Sequence, residues 1–234
     1  VARVSKVNKS RVERTCGRTG HTIPVGSVVY SAAPGWRGRT LYRCASHPFR
    51  ESELTTSLAA EPMAARESFI ESANSLDHES TDALEQLQGL WEELTGSVRE
   101  YADQRRESAE AWEHGNSQLE EYADIAESAA DELEQWEPEE WGGDEEARDW
   151  DVEEVPEPEE EPDEPDADDY DDDDDFMAAL REYDEAFAAW EAAVELRSEW
   201  EAQRDNHEEA VNDWQQHVEQ QVQAAIDTAE GVEF

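Results

Sequence analysis

Between Leu84 and Trp136 the apolar residues recur at alternating steps of three and four: Leu84, Leu87, Trp91, Leu94, Val98 and Tyr101, then Trp112, Leu119, Tyr122, Ala126, Ala129, Leu133 and Trp136. Polar Arg105 and Ser108 and small Gly115 fill the middle of the register. A 3.5-residue period lays one apolar seam along a helix, and a seam this long must be buried against a second helix. A matching run begins at Phe176 and continues through Leu180, Tyr183, Phe187, Trp190, Val194, Trp200, His207, Val211, Trp214, Val218, Val222 and Ile226. Each run would span about 80 Å at 1.5 Å per residue. Folded antiparallel, Leu133 faces Leu180, Ala126 faces Phe187, Leu119 faces Val194, Leu94 faces Val218, Trp91 faces Val222 and Leu87 faces Ile226, with Ala126 and Phe187 matched small against large. The same seams also serve a dimer, so a monomeric helical hairpin and an intermolecular coiled coil both stand. Two runs of equal length joined by one linker favour the hairpin.

The predicted organisation is a basic module over 1–50, a short helical connector over 51–80, a first long helix over 81–136, an acidic disordered linker over 137–175 and a second long helix over 176–230. In the connector, Ser52, Thr55 and Ser57 offer capping oxygens, and Phe69, Ile70, Ala73 and Leu76 share one helix face. Pro138, Gly142-Gly143, Glu-Pro repeats and the run Asp171–Asp175 mark the linker as extended and coreless, since proline and like-charge repulsion oppose compaction. The fold class is therefore mostly α with a small β element at the N-terminus.

Net charge is −45 and very unevenly placed. Residues 1–50 carry ten Lys/Arg against Glu13 alone, whereas the other 184 residues carry 62 acids against eight arginines. Lysine occurs only at positions 6 and 9. An Asp/Glu-rich, lysine-poor surface fits a halophilic setting, where salt screens self-repulsion. No apolar stretch approaches the ~18 residues of a membrane span, and no apolar run follows the basic start as a signal peptide requires. These features predict a protein without membrane association, intracellular or associated with a virion.

Both cysteines and two of the six histidines stand in the basic module, as Cys16-Gly-Arg-Thr-Gly-His21 and Cys44-Ala-Ser-His47. Between them, Gly26–Tyr30 and Arg39–Tyr42 read as hairpin strands around a turn through Pro34–Gly38. Such a hairpin brings the two pairs together at its base. Two thiolates and two imidazoles complete a tetrahedral Zn2+ shell, and an all-protein shell marks a structural zinc. A segment this short cannot fold on its own apolar core, which gives a metal staple a physical reason. The competing reading is a Cys16–Cys44 disulfide, which leaves His21 and His47 without a role.

Ile23-Pro-Val-Gly26, Tyr30, Arg43-Cys44-Ala-Ser-His47-Pro48, Arg50 and Ser52-Glu53-Leu54-Thr55 follow Cys16 and Gly20 in a definite order. This block, about residues 10–60, resembles the small zinc-ribbon module of uncharacterised proteins of tailed phages and archaeal tailed viruses. It departs from that pattern at Thr19, where the second cysteine would stand, and His21 takes the place of the missing ligand. The resemblance implies a viral or proviral zinc-stapled protein and carries no activity with it.

No phosphate-binding Gly-rich loop, Gly-x-Ser-x-Gly elbow or His-Glu-x-x-His occurs, and no carboxylate pair is placed for acid–base work, so the sequence predicts no enzyme. The favoured expectation is a zinc-ribbon and coiled-coil scaffold that docks a protein partner. The alternative is a nucleic-acid-binding ribbon held off by its own acidic half. In either case the contact residues would come from Arg11, Arg14, Arg18, Arg37, Arg39 and Arg43. High salt weakens counterion release and so disfavours the nucleic-acid alternative. A third reading takes the acidic half as a mimic of DNA.

Overall fold

The computed structural model describes residues 2–34, 39–112, 116–166 and 172–234. It is mostly helical, with small antiparallel sheets at the N-terminus and a long C-terminal helix. Two compact units divide it: Val1–Glu140 together with Val218–Phe234, and Trp141–His217.

In the first unit, β1 (Ser5–Val7), β4 (Val29–Ala32) and β5 (Leu41–Cys44) form a three-stranded antiparallel sheet in the order β1-β4-β5. β2 (Arg14–Thr15) and β3 (Thr22–Ile23) pair as a separate antiparallel ribbon. The β4–β5 register sets Val29 opposite Cys44 and Ala32 opposite Leu41, in agreement with the hairpin read from sequence. Its turn, with Arg37, lies outside the described residues. Among the described residues Cys16, Ile23, Val29 and Cys44 form the core cluster of this module, with Tyr42 packed against it.

A 3-10 turn at Ser52–Leu54 leads into α1 (Ala60–Ala73), α2 (Ala83–Glu110) and α3 (Ser117–Glu134). α2 buries Leu87, Trp91, Leu94, Val98 and Tyr101, the seam expected from the sequence. The expected single helix over 81–136 is instead two helices. Asn116 takes an extended backbone, and its side chain accepts the Gln118 N–H at 3.1 Å, which caps the start of α3. Asparagine at that position satisfies an orphan donor of a new helix, so the chain reverses where the apolar period alone ran on.

α3 returns antiparallel along α2. Arg99 reaches Asp131 and Glu134 at 2.7 and 2.6 Å, Arg106 reaches Asp124 at 2.8 Å and also Glu127, and the Trp91 indole donates to the Leu133 carbonyl at 3.0 Å. The buried stripe of α3 includes Ala123, Ala126, Ala130 and Leu133, and the alanines let the two helices approach closely. Tyr122 and Trp112, placed on the seam by spacing, are 45% and 56% exposed. α1 covers the other flank, its Phe69 ring edge-on to Trp91 at 5.3 Å.

α5 (Asp173–Gly231) contributes its last turns to this unit, burying Val218, Val222, Ala225, Ile226 and Ala229. The register expected between α2 and this helix is corrected. Trp136 stacks on Trp91 at 4.5 Å, and just beyond it the Glu139 N–H donates to Gln221 Oε1 at 3.0 Å. Phe234 meets Tyr101 at 6.2 Å, and the Val232 carbonyl accepts from Arg66 at 2.9 Å. From Gln221 to Phe234 the chain thus runs from the Trp91 level of α2 to the Tyr101 level. The two helices are parallel there, and Leu94–Val218 and Leu87–Ile226 pairing in an antiparallel sense does not occur.

In the second unit the linker, expected as a coreless segment, packs along α5. A four-residue helix, α4 (Glu145–Arg148), is capped by Asp144, whose side chain accepts the Ala147 N–H at 2.9 Å. The Trp141 and Trp214 rings meet edge to face at 5.3 Å, and the Arg148 guanidinium lies against both, 5.3 and 4.6 Å from their centroids. Trp150 meets Trp200 and His207, and the Trp190 indole donates to the Glu159 carbonyl at 2.9 Å. Arg197, rather than Val194, takes the helix position facing the Val155 carbonyl. Aromatic rings and two guanidiniums thus hold an acidic strand that charge alone would leave free. Asp171 lies outside the described residues. Among the described residues no helix is long and apolar enough to cross a membrane.

Candidate metal centre

Two tight turns present the four donors. The first joins β2 to β3: the Cys16 N–H donates to the His21 carbonyl at 2.9 Å and the Gly20 N–H to the Cys16 carbonyl at 2.8 Å. Gly20 has φ of +72°, a left-handed conformation that costs glycine little and other residues more. The second follows β5, where the His47 N–H donates to the Cys44 carbonyl at 3.2 Å. A bond from the Gly17 N–H to the Tyr42 carbonyl at 2.9 Å ties the turns together.

Cys16 and Cys44 are both free thiols, so the disulfide reading is set aside. One ligand atom from each of Cys16, His21, Cys44 and His47 lies within 4.8 Å of the others. The Cys44 sulfur is 3.1 Å from His47 Nδ1, and the His21 and His47 ring centroids are 5.6 Å apart. In a tetrahedral shell with Zn–S of about 2.3 Å and Zn–N of about 2.0 Å, donors sit roughly 3.3–3.8 Å from one another. Closing by about 1 Å therefore converts this group into a complete shell. The four residues can hold a metal ion.

The surroundings favour ligation. Burial opposes a charged sulfur at Cys16, yet the N–H groups of Cys44, Arg18 and Thr19 and the Thr19 hydroxyl outweigh it, and the thiol is brought down from 9.0 to about 6. A thiolate is the form that binds metal. Thr19 Oγ1 also lies 2.5 Å from His21 Nδ1. A partner on one ring nitrogen fixes the imidazole and leaves the other nitrogen for a metal. Sequence reasoning treated Thr19 only as the site of a missing cysteine; the signal for its role was a hydroxyl two residues before a candidate histidine ligand.

A salt-linked clasp backs the second turn. Arg43 is 5% exposed, donates to both Glu53 oxygens at 2.6 and 3.3 Å and to the Tyr42 carbonyl at 3.1 Å, and lies over Phe49. Burial disfavours the Glu53 carboxylate, but hydrogen bonds from Arg43 and the Arg50 N–H, with the charges of Arg43 and Arg18, hold it below the usual range. A side chain at Gly17 would place its Cβ 2.2 Å from Arg43 Nη1, so any larger residue there would displace the Arg43 guanidinium from its clasp. Arg43 therefore belongs to the interior and not to a contact surface, a correction to its expected role. Arg18 is half-buried with Glu53 at 3.9 Å, while Arg11 and Arg39 are exposed and Arg14 is half-buried. Arg37 lies outside the described residues.

Comparison with protein-family models, curated proteins and solved structures gives no match to this chain.

Proposed function

We propose that residues 1–50 form a zinc ribbon whose Zn2+ is bound by Cys16, His21, Cys44 and His47, and that the protein is a non-enzymatic scaffold. In this reading the ribbon docks a partner, and the acidic helices serve as a spacer or second contact surface. The observation that carries it is the convergence of four thiol and imidazole donors from two separate turns in a module whose core cluster, among the described residues, is Cys16, Ile23, Val29 and Cys44. A shell filled entirely by protein donors leaves the ion no open position for substrate or water, which is the arrangement of a structural site. Sulfur and imidazole ligands also select zinc over oxygen-seeking ions such as magnesium and calcium. The resemblance to tailed-virus modules supports a viral or proviral source, with a place in the host cell or the virion. The 63 acidic residues support a halophilic setting.

Elemental analysis of the purified full chain, after exposure to zinc and gel filtration, tests the reading. About one equivalent of zinc is expected in the native chain and under about half in the Cys44→Ser variant. Less than half an equivalent in the native chain, or the same content in both, would overturn it.

A further inference from the structure

In the ribbon module Arg18 and Arg43 pair with Glu53 and Arg50 with Glu71, while its six other described cations stay unpaired inside a chain crowded with acids. Among the described residues, Arg99, Arg106, Arg148, Arg197 and Arg204 each engage a carboxylate within 4.0 Å. Among the described residues Arg3, Lys6, Lys9, Arg11, Arg14 and Arg39 engage none, as Arg105 and Arg181 engage none outside the module, although the chain holds 63 acids. Where they are held at all, aromatic rings hold them: Arg14 lies 4.5 Å from the Tyr42 ring centroid and Lys6 lies 5.7 Å from that of Tyr30.

Two of these cations share a cleft. Between β2 and the outer edge of β5 is a cavity of about 450 Å3 lined by Arg14, Thr15, Gly17, Arg39, Thr40 and Tyr42, with Leu41 and the single acid Glu13. Stacking on Tyr42 orients the Arg14 guanidinium, whose planar fork matches two oxygens of a phosphate. The Thr15 and Thr40 hydroxyls add neutral donors of the kind that position a phosphate backbone. Four further cations precede the cleft in the chain, more than one isolated phosphate would require.

We propose that the Arg14–Arg39 cleft, with the cations of residues 3–11, seats the phosphate backbone of a nucleic acid strand. This names the partner of the module described above and rests on that reading, because the metal-ligating turn holds Arg14 and Gly17 against β5. The module's nearby carboxylates, Glu53 and Glu71, are taken up by Arg18, Arg43 and Arg50, which leaves these six side chains to an external anion.

The test is fluorescence anisotropy of a labelled 20-nucleotide single strand and its duplex with the zinc-treated full chain, across 50–200 mM NaCl, with zinc content assayed on the same samples. For a single strand neutralising about five phosphates, affinity falls roughly a hundredfold over that range. The Arg14→Ala/Arg39→Ala double variant is expected to bind at least about tenfold more weakly with a shallower salt slope. Arg181→Ala, an exposed cation of the second unit, should bind as the native chain does. The inference is overturned by absence of binding at 50 mM NaCl, by unchanged affinity in the double variant, or by displacement with polyglutamate at equal charge. Displacement by millimolar inorganic phosphate alone, with no salt-dependent strand binding, reassigns the cleft to free phosphate and overturns it as well. One equivalent of zinc with no strand binding removes this inference and leaves the metal module standing. Arginine-dependent binding by a zinc-free chain removes the metal module and leaves this inference.

Discussion

The N-terminal module and the helices α1–α3 belong to one compact unit, yet they are held together by different means. Among its described residues the module clusters only Cys16, Ile23, Val29 and Cys44 in its core, two of them candidate metal ligands, and relies on turns, a clasp between Arg43 and Glu53, and ligand geometry. The helices bury a continuous apolar stripe, with Leu87, Leu94, Val98 and Leu133 at 2% exposure or less. Small β modules lack the area to stabilise themselves by burial, whereas an antiparallel helix pair gains it along its whole length. Stability in one part should therefore follow metal and protons, and in the other part follow side-chain volume.

The largest expected effect is on the module alone. Metal binding to a structural site contributes on the order of 10 kcal/mol, so Cys16→Ser or chelation should unfold β1–β5. Amide exchange would then show protection lost across residues 5–44, while the helical circular dichroism at 222 nm persists. Simultaneous loss of both signals would mean that the two parts fold as one, and the contrast would fail.

Next in size is Leu94→Ala in α2, which removes a buried side chain and leaves a cavity at a cost of about 2–5 kcal/mol. Thermal melting followed at 222 nm should shift down strongly with zinc content unchanged. Thr19→Val should be smaller and confined to the metal: losing the partner of His21 is expected to weaken zinc about 10–100-fold in competition with a chelator. An unchanged affinity would remove Thr19 from the site.

Proton competition sharpens the same contrast. Because the fold lowers Cys16 from 9.0 to about 6, its thiolate persists as the pH falls from 9 and is lost only on passing through about 6. Protons should accordingly not compete with zinc at Cys16 above that point, and apparent zinc affinity, read by competition with a chromophoric chelator, should begin to fall below it. Glu53, also held below its ordinary range, contributes stability that is present above the usual carboxylate pKa and fades as the pH falls through its lowered value. Glu53→Gln should cost about 1–2 kcal/mol at neutral pH, measured by denaturant unfolding of the zinc-loaded chain, and should flatten that acid limb.

Sequence alone determined much of this. The heptad spacing selected the buried face of α2, the Cys/His pairs named the four side chains that come together as a candidate metal group, and β-branched and aromatic residues around a turn located β4 and β5. Those features are local: each follows from side-chain period or ligand chemistry within a few residues. The break between α2 and α3 was also written locally, in the capping residue Asn116, but a continuous apolar period hid it.

Other features were decided only by the tertiary structure. α2 pairs with α3, and α5 joins this unit only with its last turns, because a seam of period 3.5 says that a helix needs a neighbour and not which one. The acidic linker lies along α5 because Trp141, Arg148, Trp150 and Trp190 meet partners far away in sequence, and composition records charge but not those contacts. Arg43 reads as one more surface cation until the approach of Glu53 and Gly17 encloses it. Periodicity and chemistry fix which faces must be covered; which segment covers them is set by chain reversal and long-range packing.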